Sequence, residues 1–367
     1  MLKLIIKSLC QNKSLIFKFP LAFLLSIYYY PKFRYQKIWI VGGHGGDLYD
    51  DNGAIFHQYL LEKNEKVYFC LKKESKDYIK IKKIYTNSII EKNSIKSIII
   101  FIYSTYVIYS HSPGDVLNIF HYLFNNKIYV FLQHGITCFK RVTPEKRANL
   151  YVIATNREYN IFIKENVERK RLVKVGFPRF DKLIDTSKNL EKIILYMPTW
   201  RTWKEGNEIL IEKINSLINN VKLINYLEKS GYSFHIYLHH AIQKYLNSLN
   251  SKNIKIIYPG EIMLQDELKK SQILVTDYSS VAWDFWYMKK KVLFYQFDQK
   301  EFLEKVGSYI EFDKNYHDII CKNEEELILK LLEEENREYS DSFYFKDTKN
   351  CERLYKKICN YNKKKER

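Results

Sequence analysis

The chain has 367 residues, 46% of them hydrophobic, and a formal net charge of +18 at pH 7. The apolar content is sufficient for sizeable cores and excludes a globally disordered protein, and the length predicts two domains of ordinary size. The charge favours anionic partners, namely nucleic acid, anionic lipid or phosphorylated substrates. Because the sequence shows no aromatic RNA-binding signature and no paired-cysteine zinc spacing, no nucleic-acid partner is predicted.

The first 36 residues are predicted to form a membrane-association segment. Residues 19–31 are apolar and uncharged, but these thirteen residues are fewer than the ~20 that a spanning helix needs. Basic residues flank the apolar groups, and Tyr28, Tyr29 and Tyr30 are of the kind found at headgroup depth. The pattern predicts a helix lying peripherally on the cytoplasmic face of the membrane. A helix packed on the first domain is a nearly equal alternative.

Short apolar runs alternate with amphipathic or polar segments through the first half of the chain. This alternation predicts a parallel sheet with helices on its faces. The runs cover residues 37–41, 67–70, 97–101, 106–109, 128–132 and 151–154.

The same alternation restarts in the second half. Two successive α/β halves predict two Rossmann-like parallel-sheet domains, residues 37–170 and 171–367, that face each other across a cleft. Ligands of open α/β sheets bind at the carboxyl ends of the strands. The predicted strands cover residues 172–175, 193–197, 234–238, 254–258, 273–276 and 292–295, and the predicted helices cover 207–229 and 324–335.

Six widely spaced cysteines show no pairing pattern. Without a secretory signal they are predicted to be reduced thiols of a cytosolic chain, with structural or incidental roles. They are Cys10, Cys70, Cys138, Cys321, Cys351 and Cys359.

The motif QHGIT follows the predicted strand at 128–132. Gly135 permits a tight turn and leaves His134 at a strand end, where an imidazole can take a proton near neutral pH. For an isolated His-Gly pair, a histidine that only hydrogen-bonds its own loop is the stronger interpretation.

Three further strands end in polar motifs. In GFPRFD, Arg179 is able to contact a phosphate through two N–H groups, or to pair with Asp181 at the surface. Thr199 follows Pro198 in YMPTW. In YLHH, the adjacent histidines of an extended segment point to opposite faces, so a shared metal is disfavoured and one histidine at a phosphoryl oxygen is favoured.

The motif TDYSSVAWD runs from a strand into a helix. Ser279 and Ser280 at the helix start are equally consistent with a phosphate site and with an ordinary N-cap.

These five motifs, in this order, resemble the CDP-glycerol glycerophosphotransferase family of teichoic-acid-type and related capsular polymer synthesis. The resemblance covers residues 39–297 and implies a GT-B fold, with CDP-glycerol held mainly by the C-terminal domain and the acceptor approaching from the N-terminal one. It implies that CDP-glycerol is bound by Gly135, Ile136, Thr137, Cys138, Arg179, Pro198, Thr199, Tyr237, Leu238, Ser279, Ser280 and Asp284.

The reaction implied by the resemblance is attack of an acceptor hydroxyl on the phosphorus that bears glycerol, with CMP leaving. His134 is the predicted base, and His239 is predicted to stabilise the pyrophosphate. No acidic pair in the motifs demands a divalent ion, so neither a metal nor another cofactor is expected. The predicted partners are a CDP-alditol donor, a lipid-linked or polymer acceptor and the membrane surface.

Departures from the family pattern leave the donor alditol open. Tyr237 stands where the family has lysine, and Phe180 stands where it has asparagine. CDP-ribitol or another CDP-alditol is therefore an alternative donor. A GT-B enzyme acting on a UDP-sugar and a basic module that binds polyanions without catalysis are further alternatives.

Overall fold

The computed structural model describes residues 13–118, 121, 124–183, 190–238, 253–258, 261–262, 264–333 and 343–366. The chain divides into two compact units. The first contains Met1–His134, Pro144–Asp181 and Asp347–Arg367, and the second contains Gly135–Thr143 and Lys182–Lys346.

Each unit is built on one parallel sheet. The strands of the first are β1 Ile38–Val41, β2 Lys66–Leu71, β3 Ile89–Glu91, β4 Ser104–Tyr109, β5 Ile128–Phe131, β6 Leu150–Ile153 and β7 Leu172–Lys174. Those of the second are β8 Ile193–Met197, β9 Ser233–Tyr237, β10 Ile254–Ile257, β11 Ile273–Thr276, β12 Lys291–Tyr295 and β13 Ile320–Cys321.

Both sheets have the strand order of a doubly wound nucleotide-binding fold. The orders are β3-β2-β1-β4-β5-β6-β7 and β10-β9-β8-β11-β12-β13, and all pairings are parallel. The strand order reverses at β1 in the first sheet and at β8 in the second. The crevice that binds a ligand in such folds therefore lies between β1 and β4 in the first unit, and between β8 and β11 in the second. The prediction of two parallel-sheet α/β domains is confirmed.

Helices lie between most of the successive strands, as the alternation predicts. Those among the described residues are α1 Lys13–Phe33, α2 Asp51–Glu62, α3 Lys76–Ile84, α4 Ile95–Tyr103, α5 Asn156–Lys164, α6 Lys204–Ile218, α7 Val221–Ser230, α8 Leu264–Lys270, α9 Val281–Tyr287, α10 Gln299–Lys305, α11 Phe312–Tyr316, α12 Glu324–Leu332 and α13 Asn350–Glu366.

One predicted strand is a helix. Residues 97–101 lie inside α4 rather than in the sheet. The side chain of Ser94 accepts a hydrogen bond from the Ser97 N–H and caps the helix. A short apolar run that is buried on several sides has no periodicity to separate strand from helix, so the cap decides.

The predicted domain boundaries at 170/171 and at the C-terminus differ from the structural ones. Helix α13 belongs to the first unit, because Asp181 accepts hydrogen bonds from the N–H groups of Asn350 and Cys351, both at 2.8 Å. The ring of Tyr355 in this helix also stacks on Trp39. The terminal helix therefore closes the first unit instead of extending the second.

Helix α1 packs on the first unit and also presents an apolar face to solvent. Its Leu15, Ala22 and Phe33 are buried in the same core as α4, and Tyr103 donates a hydrogen bond to the Ser26 carbonyl. The helix continues through Pro20 and Pro31, so it is longer than the apolar run of the sequence. By length and composition alone, residues 14–33 are sufficient to cross a membrane.

We predict that Asp181→Ala destabilises the protein by about 2–3 kcal/mol, because two backbone N–H groups and the Asn350 amide lose a shared acceptor. The free energy of unfolding in urea measures this loss. The control is Glu168→Ala, which removes an exposed carboxylate paired with Lys170 and is expected to leave stability nearly unchanged. Equal effects of the two substitutions would contradict the role of Asp181.

Candidate functional site

Three histidines follow neighbouring strands at one edge of the first sheet. His44 follows β1, His111 follows β4 and His134 follows β5, and these strands are adjacent in the sheet. Since the strands are parallel, their carboxyl ends meet at the same edge, beside the point where the strand order reverses. The fold therefore gathers the three imidazoles where a ligand of this architecture binds.

His134 is held by a buried carboxylate. Its Nδ1 lies 3.0 Å from Asp51 Oδ2, and the other Asp51 oxygen accepts a hydrogen bond of 2.9 Å from Arg179 Nη1. The same Arg179 nitrogen donates to the His134 carbonyl at 2.6 Å. With Nδ1 directed at a carboxylate, Nε2 of His134 is the nitrogen that can accept a proton from a substrate.

The charge state of Asp51 follows from its neighbours. Burial by itself would raise the pKa of this carboxyl group, but the guanidinium of Arg179 and the bond to His134 outweigh burial and hold the pKa well below its usual range. Asp51 is therefore an anion at neutral pH. It lies at φ +61°, in the left-handed region that is uncommon for residues with a side chain.

Asn52 ties together the loops that carry His134 and Arg179. Its Nδ2 donates to the Gln133 carbonyl at 2.9 Å, and its Oδ1 accepts from the Arg179 N–H at 3.1 Å. Gln133 in turn donates to the buried Glu158 at 2.9 Å. The sequence shows the pair Asp51-Asn52 ahead of a helix. The residues that Asp51 and Asn52 contact are visible only in the folded chain. Arg179 pairs with Asp51, whereas Asp181, its alternative partner, holds α13.

His44 and His111 extend the cluster around His134. Their ring centroids lie 5.3 and 4.6 Å from that of His134, and 5.0 Å from each other. Burial lowers the pKa of His44 to about 4, so its ring is neutral. One ring nitrogen of each histidine lies within 4.8 Å of the others, which makes them a possible ligand set for a metal ion. His111 is not among the residues predicted from the sequence, because its only signal there is its place after a strand.

A second buried carboxylate organises the strand ends of the other unit. Asp277, after β11, accepts hydrogen bonds from the Thr199 N–H at 2.9 Å and from Arg201 Nη1 at 2.8 Å. Arg201 also contacts Asp298 through two nitrogens, at 2.7 and 3.0 Å. Among the described residues, the buried Thr199 Oγ1 has no hydrogen-bond partner. A buried hydroxyl of this kind is suited to a ligand oxygen.

The two serines at the start of α9 are not engaged as strong caps. The side chain of Ser280 makes no capping hydrogen bond, and Ser279 Oγ accepts only a 3.4 Å contact from the Val281 N–H. The sequence is consistent with either an N-cap or a phosphate site at these serines. The structure shows only a weak capping contact.

Gly135 approaches Ser280 so closely that no side chain fits between them. A Cβ atom on Gly135 would lie 2.1 Å from Ser280 Oγ, far inside van der Waals contact. The part of QHGIT that begins at Gly135 thus meets TDYSSVAWD within the second unit. Ile136 and Cys138 are buried after this contact, Thr137 is half-buried, and Cys138 has the environment of a packing residue.

The remaining predicted residues lie at the same edge of the second sheet or near it. Pro198 is buried directly after β8, Tyr237 ends β9 and Leu238 follows it in the core, while Asp284 is buried inside α9. Because β9, β8 and β11 are neighbours, their carboxyl ends come together. The predicted catalytic His239 lies outside the described residues.

Comparison with known proteins identifies relatives that share this architecture. A family profile described as CDP-glycerol:poly(glycerophosphate) glycerophosphotransferase matches residues 26–366. The minor teichoic acid biosynthesis protein GgaB of Bacillus subtilis is 30% identical over 355 residues, covering 85% of this chain and 38% of GgaB. A teichoic acid glycerol-phosphate primase of the same organism is 33% identical over 187 residues, covering 47% of this chain and 46% of the primase. The chain thus spans less than half the length of these two relatives.

A solved structure supports the fold assignment. The wall teichoic acid polymerase TagF superposes with a TM-score of 0.70 at 18% identity, covering 90% of this chain and 89% of that chain. At this identity the likeness concerns the fold, which is GT-B, as the motif resemblance implies.

We predict that Gly135→Ala destabilises the protein by about 1–3 kcal/mol, because the added methyl group overlaps Ser280. Unfolding in urea measures the loss, and adding Ser280→Gly should restore most of it. The matched control is Gly43→Ala. Gly43 is extended at φ −158°, and a Cβ there has its nearest neighbour at 3.8 Å. An equal loss at both glycines, or no recovery in the double variant, would contradict the steric explanation.

Proposed function

Because the chain belongs to the CDP-glycerol:poly(glycerophosphate) glycerophosphotransferase family, we propose that it transfers glycerol phosphate from CDP-glycerol to a hydroxyl group of a polymer or lipid-linked glycan acceptor. CMP is the second product. The process served is synthesis of a teichoic-acid-like or capsular polymer. The single observation that carries this proposal is the pairing of His134 with an ionised, buried Asp51 at the carboxyl edge of the first sheet.

The reaction needs a base for the acceptor. The acceptor oxygen attacks the phosphorus that bears glycerol, a new P–O bond forms, and the bond from that phosphorus to the bridging oxygen of the pyrophosphate breaks, so that CMP leaves. His134 Nε2 takes the hydroxyl proton, and Asp51 stabilises the imidazolium that results. The side chain of His134 is more than half exposed, at 57%, so an acceptor can reach it.

Arg179 acts through His134 in this proposal. Its side chain is only 4% exposed and already contacts Asp51 and the His134 carbonyl. The sequence suggested that Arg179 contacts phosphate directly. The contacts in the structure instead favour a role in orienting the base.

The second unit supplies the donor contacts. We assign the phosphates of CDP-glycerol to Thr199, Ser279 and Ser280, together with the loop that begins at Gly135. Two observations support this assignment: within the part of the chain that the structure describes, the Thr199 hydroxyl has no hydrogen-bond partner, and the Ser280 side chain makes no capping hydrogen bond. His239 retains its proposed role at the pyrophosphate by family resemblance alone. The remaining donor contacts proposed on the same basis are Ile136, Thr137, Cys138, Pro198, Tyr237, Leu238 and Asp284.

The transfer itself is proposed to need no metal or other cofactor. The proton acceptor and the groups that would bind phosphate are all side-chain or backbone groups of the chain. Activity should therefore survive treatment with a chelator.

We propose that the protein acts at the cytoplasmic face of the cell membrane and that α1 binds it to the bilayer. The side of this helix opposite its packed residues exposes apolar side chains at helical spacing, among them Phe17, Leu21, Leu24 and Tyr28. A docked helix with an exposed apolar side is typical of proteins that lie on a bilayer, and the basic residues Lys32, Arg34 and Lys37 suit anionic lipid.

We predict that His134→Gln lowers kcat for CMP release from CDP-glycerol by about 10²–10⁴-fold, because the proton acceptor is lost. The assay uses the full chain with a lipid-linked acceptor extract, and circular dichroism checks folding. The control is His317→Gln, which changes an exposed histidine of the second unit and should retain the activity of the unmodified chain. A folded His134→Gln protein with the full rate would remove the assignment of the base.

Parallel donors test the substrate in the same assay. CMP release from CDP-glycerol and not from CDP-ribitol supports the proposal, whereas release from CDP-ribitol alone keeps the mechanism and changes the donor. A UDP-sugar that is consumed while both CDP-alditols are inert would overturn the phosphotransferase proposal. Binding of polyanions that disappears with salt, without turnover of any donor, would instead indicate a non-catalytic module.

We predict that serine substitutions at Phe17, Leu24 and Tyr28 together reduce binding to phosphatidylglycerol vesicles at least about tenfold, because apolar area available to the bilayer is removed. Vesicle co-sedimentation measures the binding. The control carries serine at Val221, Leu329 and Leu332, which are exposed apolar residues of the second unit. Equal binding of the two triple variants would contradict a role of α1 at the membrane.

A further inference from the structure

The cluster of His44, His111 and His134 has the features of a metal centre. One ring nitrogen from each residue lies within 4.8 Å of the others. A zinc ion with Zn–N bonds of about 2.0–2.1 Å needs nitrogens about 3.3 Å apart in tetrahedral geometry. Modest side-chain rotation closes this difference, since His111 and His134 are both exposed.

Carboxylates stand behind two of the three rings. Asp51 Oδ2 lies 3.0 Å from Nδ1 of His134, and Asp115 Oδ2 lies 3.6 Å from Nδ1 of His111. The hydrogen bond to Asp51 leaves Nε2 of His134 available to a ligand, and metal-bound histidines are commonly supported by a carboxylate in this way. Asp115 is a carboxylate neighbour of the same kind for His111, at a longer distance.

Asp115 also fixes the loops that carry two of the histidines. Its Oδ1 accepts a hydrogen bond of 3.0 Å from the Gly45 N–H, next to His44. Its Oδ2 accepts from the His111 N–H at 2.8 Å. His44 itself adopts φ +48°, an uncommon conformation for a residue with a side chain. One buried carboxylate thus holds the backbone on both sides of the cluster.

The chemistry of the cluster selects among ligands. Imidazole nitrogens suit zinc and the neighbouring transition metals, while Mg²⁺ and Ca²⁺ prefer oxygen. A free phosphate is disfavoured, because Asp51 and Asp115 place two carboxylates behind the rings.

We propose that His44, His111 and His134 form a binding site for a divalent transition-metal ion of the zinc class. Such an ion occupies the nitrogen of His134 that is assigned to the acceptor proton. On the premise of the proposed function, metal binding therefore inhibits the transferase, and chelation releases it.

Metal binding is tested first, without reference to activity. The full chain, prepared without a histidine tag and freed of metal by a chelator that is then removed, is titrated with Co²⁺ alone. One equivalent should produce the visible absorption bands of a low-symmetry Co²⁺ site with nitrogen ligands, and Zn²⁺ should abolish them. His44→Ala and His111→Ala should each lose the bands, whereas His317→Ala should keep them.

A supporting-residue variant sharpens this test. Asp115→Asn should weaken Zn²⁺ affinity by about 10–100-fold, as measured by competition with a chromophoric chelator. Bands that persist in His44→Ala and His111→Ala would place the metal elsewhere, for instance on a cysteine, and would overturn the site. Absence of bands in the unmodified chain would overturn it as well.

Inhibition is tested separately in the CMP-release assay. Each protein is compared with itself, with and without one equivalent of Zn²⁺. The activity ratio should fall at least tenfold in the unmodified chain and stay near one in His44→Ala. A Co²⁺ site without inhibition by Zn²⁺ would overturn the link to His134 while leaving the metal site intact. Lack of transferase activity in any condition, with the Co²⁺ bands present, would count against the proposed function and not against the site.

Discussion

The buried carboxylate of Asp51 is the interaction on which the candidate site depends. It joins His134, 83 residues away, to Arg179, 128 residues away. Removing the Arg179 guanidinium would leave the Asp51 anion buried without its cation, which typically costs about 3–5 kcal/mol. The three loops after β1, β5 and β7 are therefore held in one arrangement. The orientation of the proposed base follows from the same contact that satisfies the charge.

The second unit uses the same physical solution with different residues. Asp277 takes the place after the central strand β11 and binds the Thr199 N–H and the buried Arg201, which Asp298 also contacts. Parallel strands bring several polar loops to one edge of a sheet, where their buried N–H groups and charges must find partners within the protein. A carboxylate near the switch point meets this need in both units.

Much of the fold could be predicted because its signals are local. The apolar runs that became β1, β2, β4 and most strands of the second unit stand out from the polar segments around them. Residues 97–101 were predicted wrongly, since burial hides the helical period. Strands β3 and β13 contain three and two residues, too few to show a pattern. The place of α13 depends on Asp181, which lies 169 residues from Asn350.

For the site, the five motifs of the sequence are enough to identify the family and to single out the loops of His134, Arg179 and the two serines as candidates. The partners of these residues became visible only in the folded chain. It paired Arg179 with Asp51, brought Gly135 against Ser280, and added His44 and His111 to the neighbourhood of His134. The physical reason is that each pairing joins residues separated by tens to more than a hundred positions. Such contacts depend on the order of strands in a sheet, which no short stretch of sequence encodes.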